Sequence, residues 1–197
     1  IPKGLVGSEM CIRDSNKYKL HACCHGLHPM IEALQASEAA AGVPLDDIKS
    51  FSLSTNPRWL AVCDIKRPRT GLEVKFSYNW LAGMTLRGDN TGDDRLFTDT
   101  IAGEAELGRF AERISVTGDD QLTDLQARGE ISLTDGRAIP VWFDLADPFA
   151  PEVLAEKLQR KSSTIIGDAG AAIWDLHPRL GQLGARDIAS AMLAASA

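Results

Sequence analysis

Two stretches of alternating apolar and polar residues, Arg128 to Leu133 and Ala138 to Leu145, flank the turn Thr134-Asp135-Gly136-Arg137. A period of two places successive side chains on opposite faces of a strand, and Asp-Gly supplies the positive backbone dihedrals of a tight hairpin turn. Ile139, Val141, Phe143 and Leu145 therefore face one way, toward a core that Ile131 and Leu133 of the opposite strand share. A hairpin with one apolar face has to be covered by other elements, and the rest of the chain indicates which.

Proline at a first helical position and glycine past the last turn predict a helix from Pro29 to Ala41, with Ile31 and Leu34 on one face and Gly42 beyond its end. A strand follows over Ile48 to Leu53, with Phe51 and Leu53 on one face, closed by Thr55-Asn56-Pro57. KRPRTGLEVK, residues 66 to 75, reads as an exposed loop. An apolar helix is predicted over Phe76 to Leu86, then a loop RGDNTGDD and short helical pieces over Asp99 to Ala111. Ile114 and Val116 mark a strand. A helix over Pro151 to Ile166 is expected to lay Leu154, Leu158 and Ile165 on the domain, followed from Asp168 by an Ala-rich helical tail. Strands beside hairpin partners, with helices between some of them, describe an α+β fold with a small mixed or antiparallel sheet and not a regular βαβ alternation.

The expected organisation is a leader over residues 1 to 15, a main domain over 16 to 166 and a helical tail over 167 to 197. Within the leader, GLVGSEMCIRDS resembles a translated sequencing-adapter scar, which would leave Cys11 without biological meaning. The 197 residues are 44% apolar and 24% charged, enough for a sizeable core. A formal net charge of -6 leaves no basic surplus for a phosphate backbone, so nucleic acid is not an expected partner. No stretch approaches the roughly 20 apolar residues that span a bilayer, so no membrane association is expected. Cys11, Cys23, Cys24 and Cys63 match neither a disulfide framework nor paired CxxC ligands, and a reducing cytoplasm is the expected location.

Reactive side chains are densest at Lys19, His21, Cys23, Cys24, His25 and His28, directly before a predicted helix. Three histidines can exchange protons near neutral pH, and Lys19 beside a helix start can hold a carboxylate. A zinc site from Cys23, Cys24, His25 and His28 is the competing reading, but adjacent cysteines reach one tetrahedral ion less comfortably than a CxxC pair. Buried packing is the other reading of the two thiols.

NKYKLHACCHGLHPMIEAL and GLEVKFSYNWLAGMTLRG together resemble two signatures of the MmgE/PrpD family, the family of 2-methylcitrate dehydratase and cis-aconitate decarboxylase. ISV, a strand ending in DGR and the late EKLQRK follow in the family's order, so the likeness covers residues 17 to 166. The resemblance implies the smaller, carboxyl-terminal α+β domain of a two-domain enzyme, its partner an amino-terminal all-helical domain encoded upstream. It also implies a homodimer, a small polycarboxylic acid as substrate, and no metal or organic cofactor.

Carried over by position, Lys19 matches the family's active-site lysine, and Cys24 falls where some members carry a catalytic histidine. His25 or His21 would then supply the missing proton transfer, since a thiol has other geometry and a reference pKa of ~8.5. His28 matches a histidine at the helix start, catalytic or a structural cap. Trp80 falls where the decarboxylase carries a tyrosine; it is read evenly as substrate-binding or as core, with Tyr78 as a substitute. Lys75 is a substrate-binding candidate, with a salt bridge to Glu73 or Asp64 as the alternative. The basic loop Lys66-Arg67-Pro68-Arg69 either attracts an anionic substrate or is a solvated charge run. The expected function is a lyase, a dehydratase or decarboxylase. The alternatives are an isomerase or epimerase of a small dicarboxylic acid, and a non-catalytic α+β interaction module.

Overall fold

The hairpin is present, with Gln126–Leu133 (β3) paired antiparallel to Ala138–Asp144 (β4), and Ile131 opposite Ile139 across a turn in which Gly136 has φ +90°. In this computed structural model, which describes residues 18–195, the expected α+β class holds. The leader read over residues 1 to 15, including Cys11, lies outside the described residues. Ile48–Thr55 (β1) joins β3 antiparallel, and Ile114–Gly118 (β2) joins β1 in parallel, giving one mixed sheet in the order β2-β1-β3-β4. The ladder shifts between Ile48 and Ser50, and the shift explains why Ile48 and Phe51 are both buried although they are three residues apart.

One face of the sheet is apolar, carrying Phe51 and Leu53, Ile131 and Leu133, and Ile139 and Val141, all buried. The other face carries Ser52, Arg128, Glu130 and a half-exposed Trp142. His28–Ala36 (α1) packs across β3 and β4 on the apolar side, and Tyr78–Arg87 (α4) lies against α1. Every residue of α1 from His28 to Leu34 is buried, so this helix is enclosed on all sides and not merely amphipathic. It stops at Ala36, short of the expected Ala41, because Ser37 leaves helical dihedrals for φ -86°, ψ 98°.

Two helices stand where none was expected. Pro57–Cys63 (α2) follows β1 directly, its first turn capped by the Asn56 side chain accepting from the Arg58 N–H at 3.1 Å. Gly71–Val74 (α3) sits inside the stretch read as an exposed loop; Thr70 caps it, and Pro68, Gly71 and Val74 are buried. Ser77 caps α4, and Gly88 at φ +88° ends it. Asp99–Ala102 (α5) and Ala105–Ala111 (α6) are the two expected short helices, α6 packing on α4.

Pro151–Ile166 (α7) has the bounds read from sequence, and Asp168–Trp174 (α8) and Ala185–Ala195 (α9) continue the helical tail. Leu154 and Leu158 are half-buried on α7, but Ile165 is 51% exposed and does not lie on the domain as expected. Ile166 beside it is 48% exposed as well, so the apolar residues at the end of α7 continue beyond the surface that it covers.

Gly129, in the middle of β3, has no room for a side chain. A Cβ there would lie 2.5 Å from the Ser52 carbonyl oxygen and 2.9 Å from the Phe51 ring. Backbone cannot give way without parting the ladder. Gly129→Ala is therefore expected to cost about 2 kcal/mol and to lower the thermal midpoint by about 5 °C, read by circular dichroism.

Candidate functional site

Two backbone hydrogen bonds fix the segment that precedes α1: Ala22 N–H to the Thr91 carbonyl at 2.8 Å, and Cys24 N–H to the Lys75 carbonyl at 3.0 Å. A single turn of 3-10 helix, His25–Leu27, then runs into α1. Gly26 in this turn lies flat against the Trp59 indole, where a Cβ would come within 2.3 Å of the ring, and its carbonyl accepts from the Tyr78 hydroxyl at 3.0 Å.

This path brings three imidazoles into contact. His28 lies edge to face with His21, centroids 4.9 Å apart, and tilted against His25 at 4.7 Å. His21 is buried and held at both nitrogens, Nε2 3.1 Å from Glu32 Oε1 and Nδ1 2.7 Å from Thr91 Oγ1. Lys157 Nζ, donating to the other Glu32 oxygen at 2.8 Å, keeps that carboxylate ionised. Nε2 of His21 then carries the proton toward Glu32, and Nδ1 accepts from the Thr91 hydroxyl. Burial lowers the pKa of His21 against the opposing pull of Glu32. His28 is 1% exposed, its Nε2 has no hydrogen-bond partner, and burial followed by repulsion from its neighbours pushes its pKa down to about 2. Glu32 is also buried; its hydrogen bonds from His21 and Lys157 outweigh the larger single effect of burial, and its pKa is lowered.

A cavity of about 480 Å³ opens over this network, lined among others by His21, Glu32, Thr91, Lys157, Arg160 and Lys161. Lys19 is exposed at its side, and the Lys161 ammonium donates to the Lys19 carbonyl. Partial burial and then the charge of Lys19 lower the pKa of Lys161. Arg160 and Lys161 reach the same face of α7 as Lys157, three and four residues on.

The two cysteines part company. Cys23 is buried, and desolvation pushes its thiol up to about 12 even with Lys19, Lys161 and Lys75 within electrostatic reach. Cys24 instead lies next to Cys63, on the side of Tyr78 and Asp64. His25 and His28 thus meet His21, with Lys19 within electrostatic reach of His28, while Cys24 turns toward Cys63 between α2 and α4; of these residues only His21 lines the cavity. His25 also borders a second, more apolar hollow with Leu145, Phe149 and Leu154.

The three residues read from the second motif lie elsewhere. Tyr78 is 1% exposed, and its hydroxyl is tied to Thr55 at 3.1 Å as well as to Gly26. Trp80 is buried, its indole N–H donating to the Ile101 carbonyl at 3.0 Å, and it faces a different concavity shared with Lys66 and Arg67. Lys75 pairs with Asp94 and sits 5.1 Å from the Phe97 ring centroid. Its expected alternative partners are occupied otherwise: Asp64 pairs with Lys66, and Glu73 accepts from the Arg69 N–H at 2.6 Å. Lys66, Arg67 and Arg69 do not line the histidine cavity, and the first two border the concavity beside Trp80.

Glu32, Thr91, Lys157, Arg160 and Lys161 were not singled out from sequence. The three cations at i, i+3 and i+4 on one amphipathic helix were a readable signal; the meeting of Glu32 with His21 and Lys157 was not, because it depends on tertiary contacts. No group of three histidine, cysteine, aspartate or glutamate side chains among the described residues is arranged to hold a metal ion. No helix of the described residues is long and apolar enough to cross a membrane.

The family model of the MmgE/PrpD C-terminal domain matches residues 21–177, from the first histidine of the cluster through the sheet and past α8. No curated protein matches the chain. The chain belongs to the MmgE/PrpD family.

Proposed function

We propose that this member of the MmgE/PrpD family is a lyase that dehydrates or decarboxylates a small polycarboxylic acid. The observation that carries the proposal is the contact of three imidazoles, of which His28 is within electrostatic reach of Lys19 and His21 opens onto a cavity large enough for such an acid. Elimination of water needs a base to take the proton next to a carboxylate, an acid to protonate the departing hydroxide, and positive charge facing the enolate-like transition state. His25 and His28 are the proton-transfer candidates, and Lys19 faces the carboxylate. Because His28 remains neutral well below pH 7, it enters the reaction uncharged. Glu32 and Thr91 fix the ring orientation and proton position of His21 behind them.

Of the residues read from sequence only His21 lines this cavity; His25 and His28 touch one another and His28 touches His21, whereas Cys24 turns toward Cys63 and Lys75, Tyr78 and Trp80 lie elsewhere. The reading therefore places proton transfer on histidine and not on the Cys24 thiol. It further assigns the remaining catalytic groups to an amino-terminal helical domain closing over the cavity, in a cytoplasmic homodimer that needs no metal or organic cofactor.

Proton NMR of citrate-type acids incubated with the complete protein in deuterated water tests the reaction. Loss of water or carbon dioxide supports the lyase. Deuterium gained at the α-carbon with neither loss would replace it by an epimerase. Lys19→Ala is expected to lower kcat/KM about 100-fold with an unchanged circular dichroism spectrum. Undiminished turnover in that variant would remove Lys19 from the site.

A further inference from the structure

The charges around the histidine cavity do not cancel. Lys157 is neutralised by Glu32, and Arg87 binds Asp89, Glu104 and Glu106, which also removes Asp89 from the cavity's account. Among the described residues no carboxylate lies within ion-pair distance of Lys19, Arg160 or Lys161. Arg160 and Lys161 thus line the cavity without a counter-charge, and Lys19 stands beside Lys161, in a chain whose formal net charge is -6. Acidic side chains are abundant enough to pair them, and among the described residues most other basic side chains are paired.

We infer that Arg160 and Lys161, projecting from α7 into the cavity over His21, form a recognition site for one carboxylate of a small di- or tricarboxylate anion. The inference rests on the polycarboxylate reading above and adds to it the groups that select the ligand. Arg160 offers a planar fork of donors that matches a carboxylate, and Lys161 adds a point charge beside it. Lys161 is half-buried and already opposed by Lys19, so an anion between the two ammonium groups relieves their repulsion as it binds. Lys157, held by Glu32, sets the position of this face of α7. A second carboxylate of the same anion then reaches Lys19, and the carbon between them comes to the histidines.

Binding of tricarballylate tests this independently of catalysis, because this tricarboxylate has no hydroxyl group to eliminate. Calorimetric titration of the complete chain is expected to show one site, weakened roughly tenfold or more in Arg160→Gln and again in Lys161→Met. Arg67→Gln, which removes an exposed cation that does not line the cavity, is expected to leave the affinity unchanged; the fold of each variant is checked by circular dichroism. Equal affinity in all variants, equal weakening in Arg67→Gln, absence of binding to the unsubstituted chain, or tighter binding of inorganic phosphate than of tricarballylate would each overturn the assignment. Tricarballylate binding that depends on Arg160, in a protein that turns over none of the acids above, would keep this site and reject the lyase. Turnover with binding indifferent to Arg160 and Lys161 would do the reverse.

Discussion

Glu32→Gln is expected to lower stability by about 3 kcal/mol and the thermal midpoint by about 8 °C, more than other single changes at the cavity. The carboxylate is 2% exposed and joins His21 on the segment before α1 to Lys157 on α7. Glutamine keeps one oxygen for one of these donors and turns an N–H₂ group toward the other. Lys157, with a side chain 17% exposed, is then a largely enclosed ammonium without a counter-charge. Adding Lys157→Met to Glu32→Gln removes the orphaned charge, and the double variant is expected to recover about 2 kcal/mol relative to additivity. Denaturant titration of the four proteins gives the cycle. A single-variant loss below about 1 kcal/mol, or strict additivity, would mean that the Glu32 to Lys157 bond does not hold α7 to α1.

Acid is expected to destabilise the protein well above the carboxylate range. His28 has an ordinary pKa of 6.5 and is pushed down to about 2 in the fold, so the unfolded chain takes up its proton first. Stability from this group is complete above pH 6.5 and falls by about 1.4 kcal/mol per unit as pH drops below it, or about 2.7 kcal/mol by pH 4.5. His21, lowered in the same direction, steepens the loss. Glu32 acts in a lower window, because its depressed pKa preserves its contribution until pH falls below the ordinary carboxylate value of 4.5. Between pH 6.5 and 4.5 the slope therefore belongs to the histidines. Chemical denaturation across that interval should show it, and His28→Phe, which keeps a ring against His21 and His25, should flatten most of it. A slope unaltered by His28→Phe would show that His28 is not held neutral.

Local chemistry announced the hairpin, because Asp-Gly and a period of two are signals confined to a few residues. The existence of α4, expected over Phe76 to Leu86 and found over Tyr78–Arg87, and the bounds of α7 were legible for a similar reason, although the caps Ser77 and Gly88 were not read. Asn56-Pro57 was an equally local signal of a helix start, but read beside Thr55 it served only to end β1, and α2 was missed. Thr70 before Gly71 was likewise hidden among the charges of its loop. The partnership of β1 with β2, across Phe51 and Ile114, could not be read at all, since a parallel pairing leaves no mark in either strand's own pattern.

The site divides along the same line. Its histidines are neighbours in sequence and stood out there. The groups that govern them, Glu32 and the α7 cations, are 11 and more than 100 residues away from His21. Cys23 and Cys24 show the limit of counting positions: one residue's difference in an irregular segment sends one thiol toward the lysines and the other toward Cys63.

Helix α7 has no fully buried residue, and polar ties contribute much of its hold on the domain: Lys157 to Glu32, Lys161 to the Lys19 carbonyl, and Arg95 to the Thr164 carbonyl at 3.0 Å. Such an element belongs to the part of a protein that opens first, ahead of the sheet. A ligand that bridges α7 and the segment before α1 adds its binding free energy to the work of detaching that helix, and the undocked helix binds it less well in equal measure. Filling the cavity and seating the helix are then two readings of one equilibrium, and the residues that grip an anion are also those that decide how long the molecule stays closed.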